Sequence, residues 1–131
     1  MLLRRIFFAP FSLIWFSVTE LRNRMFDWGI RKSFQIPNKS ICIGNLSLGG
    51  TGKTPMTAFL AKMFENELNV QVLSRGYGRK TSGFLAVHET DSAENVGDEP
   101  LFYKLKFKNK VNVAVCENRK EGIEKVGEEN F

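Results

Sequence analysis

The segment GNLSLGGTGKTP, residues 44–55, constrains the fold of this 131-residue chain more than any other feature. The apolar residues 41–44 before it predict a short buried strand, and the periodicity after it predicts a helix over residues 55–68. A strand, a glycine-rich turn and a helix in this order are typical of a phosphate-binding loop. Glycine permits main-chain N–H groups to approach phosphate oxygens closely, and the helix N-terminus adds a partial positive charge.

Two side chains of this loop have predicted roles. Lys53 can reach the β- and γ-phosphates of a nucleotide, and the hydroxyl of Thr54 can be a ligand of Mg²⁺. Ser47 stands where the general G-x-x-x-x-G-K-[ST] pattern has its first glycine, and a capped turn with a solvated lysine is the alternative. The predicted phosphate contacts are eight consecutive residues: Ser47, Leu48, Gly49, Gly50, Thr51, Gly52, Lys53 and Thr54.

The rest of the pattern predicts an α/β domain in which helices flank a parallel sheet, because apolar strands alternate with amphipathic helices. Further strands are predicted at residues 70–73, 84–87 and 111–115, and further helices from about Pro100 and over 119–129. Together with the glycine-rich loop, this order favours a fold like that of the P-loop NTPases.

The N-terminal residues 2–28 predict one long helix or two helices joined at Pro10. Apolar residues dominate residues 6–18, a stretch that spans about 20 Å as a helix against about 30 Å for the hydrocarbon core of a bilayer. Its basic flanks and aromatic residues favour a helix lying in the membrane interface, while a cleaved signal peptide and a helix packed on its own domain are the alternatives. We therefore predict an interfacial helix at residues 1–32 and a P-loop domain at residues 38–131.

The charge distribution and the cysteine content exclude some classes of function. The net charge is +5, of which residues 1–32 carry +4 (six basic, two acidic) and residues 33–131 carry +1 (thirteen basic, twelve acidic). Nucleic-acid binding is disfavoured, because the positive charge is not on the folded body. Cys42 and Cys116 lie in apolar runs that predict buried, reduced thiols, and the absence of a CxxC motif and the isolation of His88 argue against a zinc site.

Two further motifs carry charges that chemistry could use. Asp98 and Glu99 in VGDEP lie where a loop meets a helix, so an acid there can be a general base or a helix cap. SRGYGRK, residues 74–80, follows a predicted strand, at the edge where ligands bind in open α/β sheets. Arg75 and Arg79 are the predicted contacts to a phosphorylated substrate, and a solvated basic loop is the alternative.

Taken in order, the basic-flanked N-terminal helix, ICIGNLSLGGTGKTP, VLSRGYGRK, GDEP and VAVCENR resemble the tetraacyldisaccharide 4′-kinase family of lipid A synthesis. This resemblance covers essentially the whole chain, and serine at the first loop position fits that family. It implies transfer of the ATP γ-phosphate to the 4′-hydroxyl of a tetraacyldisaccharide 1-phosphate, with Mg²⁺, at the cytoplasmic face of the bacterial inner membrane. It also implies that Asp98 is the base and that Lys53 acts in catalysis.

Members of that family are longer and carry, after the part matched here, an Asp-Asp-Gly-Phe-Gln segment with metal-binding acids and a domain with a catalytic histidine. Neither occurs in this sequence, so the P-loop domain is expected to be incomplete at its C-terminal end and this chain alone to be poorly active. A membrane-tethered P-loop switch without kinase activity is the alternative, although a guanine-reading Asn-Lys-x-Asp motif does not occur.

Overall fold

The computed structural model describes residues 2–45 and 50–128. Their contacts divide the chain into two compact units, residues 1–35 and residues 36–131. The first unit is dominated by one helix and the second contains a sheet with helices, so each is described by itself.

The first unit consists of helix α1, Leu2–Asp27, followed by a turn. Pro10 lies inside the helix, so the prediction of one long helix is confirmed over that of two. Gly29, with φ of 71°, follows the helix end and lets the main chain turn back, as the N–H of Arg31 bonds to the carbonyl of Met25 at 2.9 Å. Among the helices of the described residues, none combines the length and apolar character needed to cross a bilayer.

The surface of α1 is strongly apolar. The exposed large apolar side chains from its middle and second half are Phe11, Leu13, Ile14, Trp15, Phe16, Val18, Leu21 and Phe26. The hydroxyls of Ser12, Ser17 and Thr19 donate to main-chain carbonyls three or four residues earlier at 2.7–2.9 Å. Because these bonds occupy the hydroxyl groups within the helix, the polar residues interrupt the apolar surface little.

The second unit is built on a three-stranded sheet with the order β1-β3-β2. Its strands are β1 (Val70–Ser74), β2 (Leu85–Ala86) and β3 (Val111–Val115). β1 is parallel to β3, with Ser74 beside Val115, whereas β2 is antiparallel to β3. The predicted strands at 70–73 and 111–115 are confirmed, and the central strand β3 is the most buried.

The prediction of an all-parallel sheet is wrong, since the sheet is mixed. Residues 75–84, between β1 and β2, contain no helix that would carry the chain back to the start of the sheet. A parallel connection needs such a crossover of a dozen or more residues. The chain therefore stays near the end of β1 and runs back along β3 in the opposite direction.

Four α-helices accompany the sheet in this unit: α2 (Lys53–Phe64), α3 (Ala93–Val96), α4 (Asp98–Phe107) and α5 (Arg119–Glu128). A 3₁₀ turn over Lys108–Lys110 joins α4 to β3. The core between these elements contains Ala58, Ala61, Val96, Tyr103, Phe107, Val111, Val113 and Val115. The α/β class is thus confirmed, with helices packed against a mixed sheet.

Two boundaries differ from the sequence predictions. Residues 41–45 form no strand, and Ile41 is 66% exposed with Cys42 also exposed, so the buried strand and the buried thiol predicted there are wrong. β1 and β2 occupy the two edges of β3, so β3 has no free edge with which residues 41–44 could pair. An apolar run alone does not specify which strand it pairs with. Helix α2 ends at Phe64, before the predicted residue 68, because the chain turns there and leaves Leu68 exposed. Cys116 is buried, as predicted.

Candidate functional site

The start of α2 is the centre of the candidate site. Gly50 and Gly52 have φ of 49° and 79°, in the left-handed region that side chains disfavour, and the helix begins at Lys53 immediately afterwards. The first N–H groups of a helix have no partner within the helix, so they point toward whatever precedes it. Of the predicted phosphate contacts, Gly50 to Thr54 are described, whereas Ser47, Leu48 and Gly49 lie outside the described residues.

Lys53 is exposed, and its ammonium group lies next to the segment that precedes the loop. Its Nζ donates a hydrogen bond to Oδ1 of Asn45 at 2.8 Å. Because Asn45 lies near the start of the 44–55 segment and Lys53 near its end, this bond holds the two ends of the loop together. The positive charge is thereby kept beside the loop, where an anion at the helix start would meet it.

The hydroxyl of Thr54 lies in a hydrogen-bond cluster that the sequence did not reveal. Thr54 Oγ1 donates to Oε1 of Glu99 at 2.8 Å, and the Tyr103 hydroxyl donates to the same oxygen at 2.8 Å. The Tyr103 hydroxyl also lies 3.4 Å from the main-chain oxygen of Thr54. Tyr103 is only 1% exposed, and burial is the main cause that raises its pKa above the usual value of 10.0. The cluster links the start of α2 to the first turns of α4.

Asp98 is the first residue of α4 and is exposed. The N-cap position is occupied by Gly97, with φ of 94°, so Asp98 is not the capping residue. A β-carbon at Gly97 would lie 3.2 Å from the main-chain oxygen of Tyr77 and 3.3 Å from Cα of Gly76. The GDEP motif and the SRGYGRK loop are therefore in contact through their main chains.

The two predicted substrate-binding arginines differ in their surroundings. Arg75 follows β1 and is exposed, whereas the side chain of Arg79 is 2% exposed. The Nη2 group of Arg79 donates to Oε1 of Glu117 at 2.6 Å and to the main-chain oxygen of Gly83 at 2.6 Å. Hydrogen bonds from the main-chain N–H of Glu117 and from Arg79 hold the pKa of Glu117 below its usual value of 4.5. Arg79 thus fastens its own loop to Glu117, two residues after the end of β3.

Some of these partners carry signals that the sequence analysis did not use. Glu99 and Tyr103 are four residues apart, the spacing that places two side chains on one face of a helix. Glu117 follows β3, which is parallel to β1, so the segments after the two strands lie at the same edge of the sheet. A contact between Glu117 and the loop after β1 is therefore expected. Within residues 2–45 and 50–128, no group of three or more His, Cys, Asp or Glu side chains could hold a metal ion.

These elements define an α/β protein in which a glycine-rich segment leads into a helix that begins Lys-Thr. A family model described as tetraacyldisaccharide-1-P 4′-kinase matches residues 4–130. The chain belongs to this family, as its sequence motifs predicted.

Curated relatives and a solved structure agree with this assignment. The tetraacyldisaccharide 4′-kinase of Flavobacterium psychrophilum is 46% identical over 95% of this chain and 36% of its own length. That of Cytophaga hutchinsonii is 42% identical over 96% of this chain and 36% of its own length. The structure of LpxK from Aquifex aeolicus in complex with ATP is 37% identical, with a TM-score of 0.75, over 98% of this chain and 41% of that one. The chain therefore spans about a third of the length of these curated relatives.

Proposed function

We propose that this chain forms the nucleotide-binding part of an ATP-dependent kinase, which transfers the γ-phosphate of ATP to the 4′-hydroxyl of a tetraacyldisaccharide 1-phosphate. The product is an intermediate of lipid A synthesis. The family match over residues 4–130 and the ATP named for the Aquifex aeolicus structure support this proposal. The observation that carries it is the start of α2, where Lys53 and Thr54 follow two glycines with positive φ.

The loop would bind the triphosphate mainly through its main chain. Residues 47–54 would direct N–H groups at the phosphate oxygens, and the N-terminus of α2 adds its dipole to their attraction. Lys53, held beside the loop by Asn45, would contact the β- and γ-phosphates and stabilise the charge that develops during transfer. Its position at the start of α2 supports this role.

The oxygen atoms around Thr54 fit a magnesium ion bound with the nucleotide. Thr54 donates its hydroxyl hydrogen to Glu99, so lone pairs of the same oxygen remain available to a hard cation such as Mg²⁺. When bound, Mg²⁺ would neutralise negative charge on the phosphates. Thr54 is the residue of this chain that would hold it, together with phosphate oxygens of ATP.

Asp98 and Arg75 would act on the acceptor. Asp98 is exposed at the start of α4, next to the main-chain contact between the two motifs, and would accept the proton of the attacking sugar hydroxyl. Arg75 is exposed at the end of β1, where it would contact a phosphate group of the lipid. The buried position of Arg79 supports a structural task instead, which is to fix the loop that carries Arg75.

We also propose that α1 lies in the interface of the inner membrane, with the P-loop domain on the cytoplasmic side. The acceptor is an acylated disaccharide that resides in the bilayer, so an enzyme acting on it gains from an apolar surface at the height of the headgroups. The exposed apolar side chains of α1 and its internally bonded hydroxyls support this arrangement. ATP is available on the cytoplasmic side.

A Lys53→Ala variant tests the function directly. We expect it to lower the affinity for ATP by about 10- to 100-fold, the effect of losing one charge-assisted contact, and to reduce further the low 4′-phosphorylation activity expected of this chain. Affinity is measured by equilibrium titration, and phosphorylation with labelled ATP. Lys39→Ala, which removes an exposed lysine before the loop, is the matched control and should leave both unchanged. Equal ATP affinity in the wild type and Lys53→Ala would contradict the proposal, and selectivity for GTP would favour a switch protein instead.

A further inference from the structure

Tyr103 combines a buried ring with a hydroxyl that reaches the candidate site. It lies on α4 one turn after Glu99 and is one of the largest fully buried side chains among the described residues. Its ring belongs to the core, which packing alone would explain, and phenylalanine would fill the same space. The hydroxyl needs a separate explanation. It is not needed to fill the core, and a buried phenol hydroxyl requires a hydrogen-bond partner.

The Tyr103 hydroxyl has a hydrogen bond with the Thr57 side chain, and it donates to the carboxylate oxygen that also receives the Thr54 hydroxyl. Two donors, each at 2.8 Å, converge on Oε1 of Glu99 from different helices. A carboxylate held by two donors loses freedom to rotate, so the direction in which Thr54 donates is fixed as well. When the hydrogen of Thr54 points toward Glu99, the lone pairs of the same oxygen point away from Glu99 and stay available to a cation.

We propose that Tyr103 is a positioning residue of the nucleotide site. It orients the Glu99 carboxylate, which in turn orients the Thr54 hydroxyl so that its oxygen faces a divalent cation bound to the nucleotide phosphates. This inference rests on the proposed function, since it takes the start of α2 to be the site of ATP and Mg²⁺. Tyr103 itself touches neither ligand, and its effect passes through Glu99.

A Tyr103→Phe variant isolates the hydroxyl, because the ring and its packing are retained. The measurement is the affinity for ATP with and without Mg²⁺, and the ratio of the two affinities reports the contribution of the cation. We expect Tyr103→Phe to reduce this ratio by about three- to tenfold, the effect of one hydrogen bond, and to leave binding of ATP alone unchanged. Tyr77→Phe is the matched control, since Tyr77 is 95% exposed, and it should behave as the wild type.

A double-mutant cycle tests whether Tyr103 acts through Glu99. Glu99→Gln should reduce the same ratio, and adding Tyr103→Phe to it should cause little further loss, because the carboxylate that the phenol orients is already gone. Independent, multiplying losses would overturn the proposal. So would a Tyr103→Phe protein that melts at a lower temperature but has an unchanged ratio, since a purely structural role predicts that result.

A spectroscopic measurement leaves the hydroxyl in place and does not depend on the stability of Tyr103→Phe. The chain has two tyrosines, so 3-fluorotyrosine incorporated into Tyr77→Phe labels Tyr103 alone. We expect its ¹⁹F resonance to shift with ATP and Mg²⁺ and to stay in place with ATP alone. No shift at saturating ATP and Mg²⁺ would overturn the proposal. Failure of the proposed function is distinguishable, because in that case the wild type would not bind ATP at all.

Discussion

Glu65 shows how one buried charge is accommodated in this fold. Its side chain is 2% exposed at the end of α2, and its carboxylate contacts Nζ of Lys62 and lies 3.5 Å from Nζ of Lys110. The hydrogen bond from Lys62 is the main cause that holds the pKa of Glu65 below its usual value of 4.5; the charge of Lys110 acts in the same direction, and burial opposes both. The ionised form therefore ties the end of α2 to the turn before β3.

The lowered pKa of Glu65 predicts a pH dependence of stability. The unfolded chain binds a proton at Glu65 at higher pH than the folded chain does. The contribution of Glu65 to the free energy of unfolding is thus complete above about pH 4.5 and is lost as the pH falls through the lower pKa of the folded state. Glu65→Gln should remove this part of the pH dependence. Denaturant unfolding of both proteins over a pH series that descends from neutral pH through the acid range measures it, and parallel curves would contradict the prediction.

At the same scale, the site could be predicted from the sequence only where its partners are local. Lys53 and Thr54 belong to a contiguous pattern whose chemistry suggests a role for each position, and these roles stay predictions. Glu99 lies 45 residues from Thr54, and no local signal joins them. The burial of Arg79 could not be predicted from the sequence for the same reason, since its partner Glu117 lies 38 residues away.

Helix α5 illustrates how an element is fixed by its ends and by one close contact. Oδ1 of Asn118 accepts the main-chain N–H groups of Lys120 and Glu121, at 3.1 Å and 3.4 Å, which caps the helix start. Gly122 is buried against the sheet, and a β-carbon there would lie 2.8 Å from Leu73 Cδ2 and 3.0 Å from Cys116 Cβ. The helix can lie this close to the sheet only because position 122 has no side chain.

We therefore expect Gly122→Ala to destabilise the protein. Alanine gains up to about 1 kcal/mol in helix propensity, but overpacking costs typically about 1–3 kcal/mol, and the Cys116 β-carbon next to the main chain cannot move aside as a side-chain end can. Gly127→Ala is the control in the same helix, since a β-carbon at Gly127 meets nothing within 4 Å. Denaturant unfolding should show a loss for Gly122→Ala and no loss for Gly127→Ala. An equal gain for both would refute the close packing of α5.

Elements with a complete local signature were predicted well, and those that depend on a distant partner were not. Four of the five residues of β3 are apolar, and β3 is the central strand, so pattern and pairing agree. Residues 41–44 have a similar pattern but pair with none of the described strands. The direction of β2 depends on the length of the connection from β1, which the apolar pattern does not specify.

For the whole molecule, the proposed membrane association makes a prediction about α1. Ile14 and Val18, 63% and 56% exposed, lie four residues apart on one face of the helix. Replacing both with serine should weaken binding to vesicles of anionic phospholipid by about tenfold or more, because apolar area leaves the membrane. Co-sedimentation measures the binding, and the blue shift of tryptophan fluorescence reports it independently, since Trp15 and Trp28 are kept.

The control for this prediction is a matched pair of substitutions on α2. Phe59 and Met63, 59% and 50% exposed, are also four residues apart, and replacing both with serine should leave vesicle binding unchanged. If the α2 pair weakened binding as much as the α1 pair, membrane binding would not belong to α1. If neither pair had an effect, an interfacial role for the helix would be refuted.

The main-chain contact between Gly76 and Gly97 has a consequence for protein engineering. The two positions belong to different motifs, yet a side chain on either would meet the other segment or the arginine beneath it. A substitution at either glycine would therefore displace the neighbouring motif. An engineer who transplants the GDEP helix into a foreign scaffold would have to transfer the RGYG loop with it, since the two segments pack against each other through their main chains.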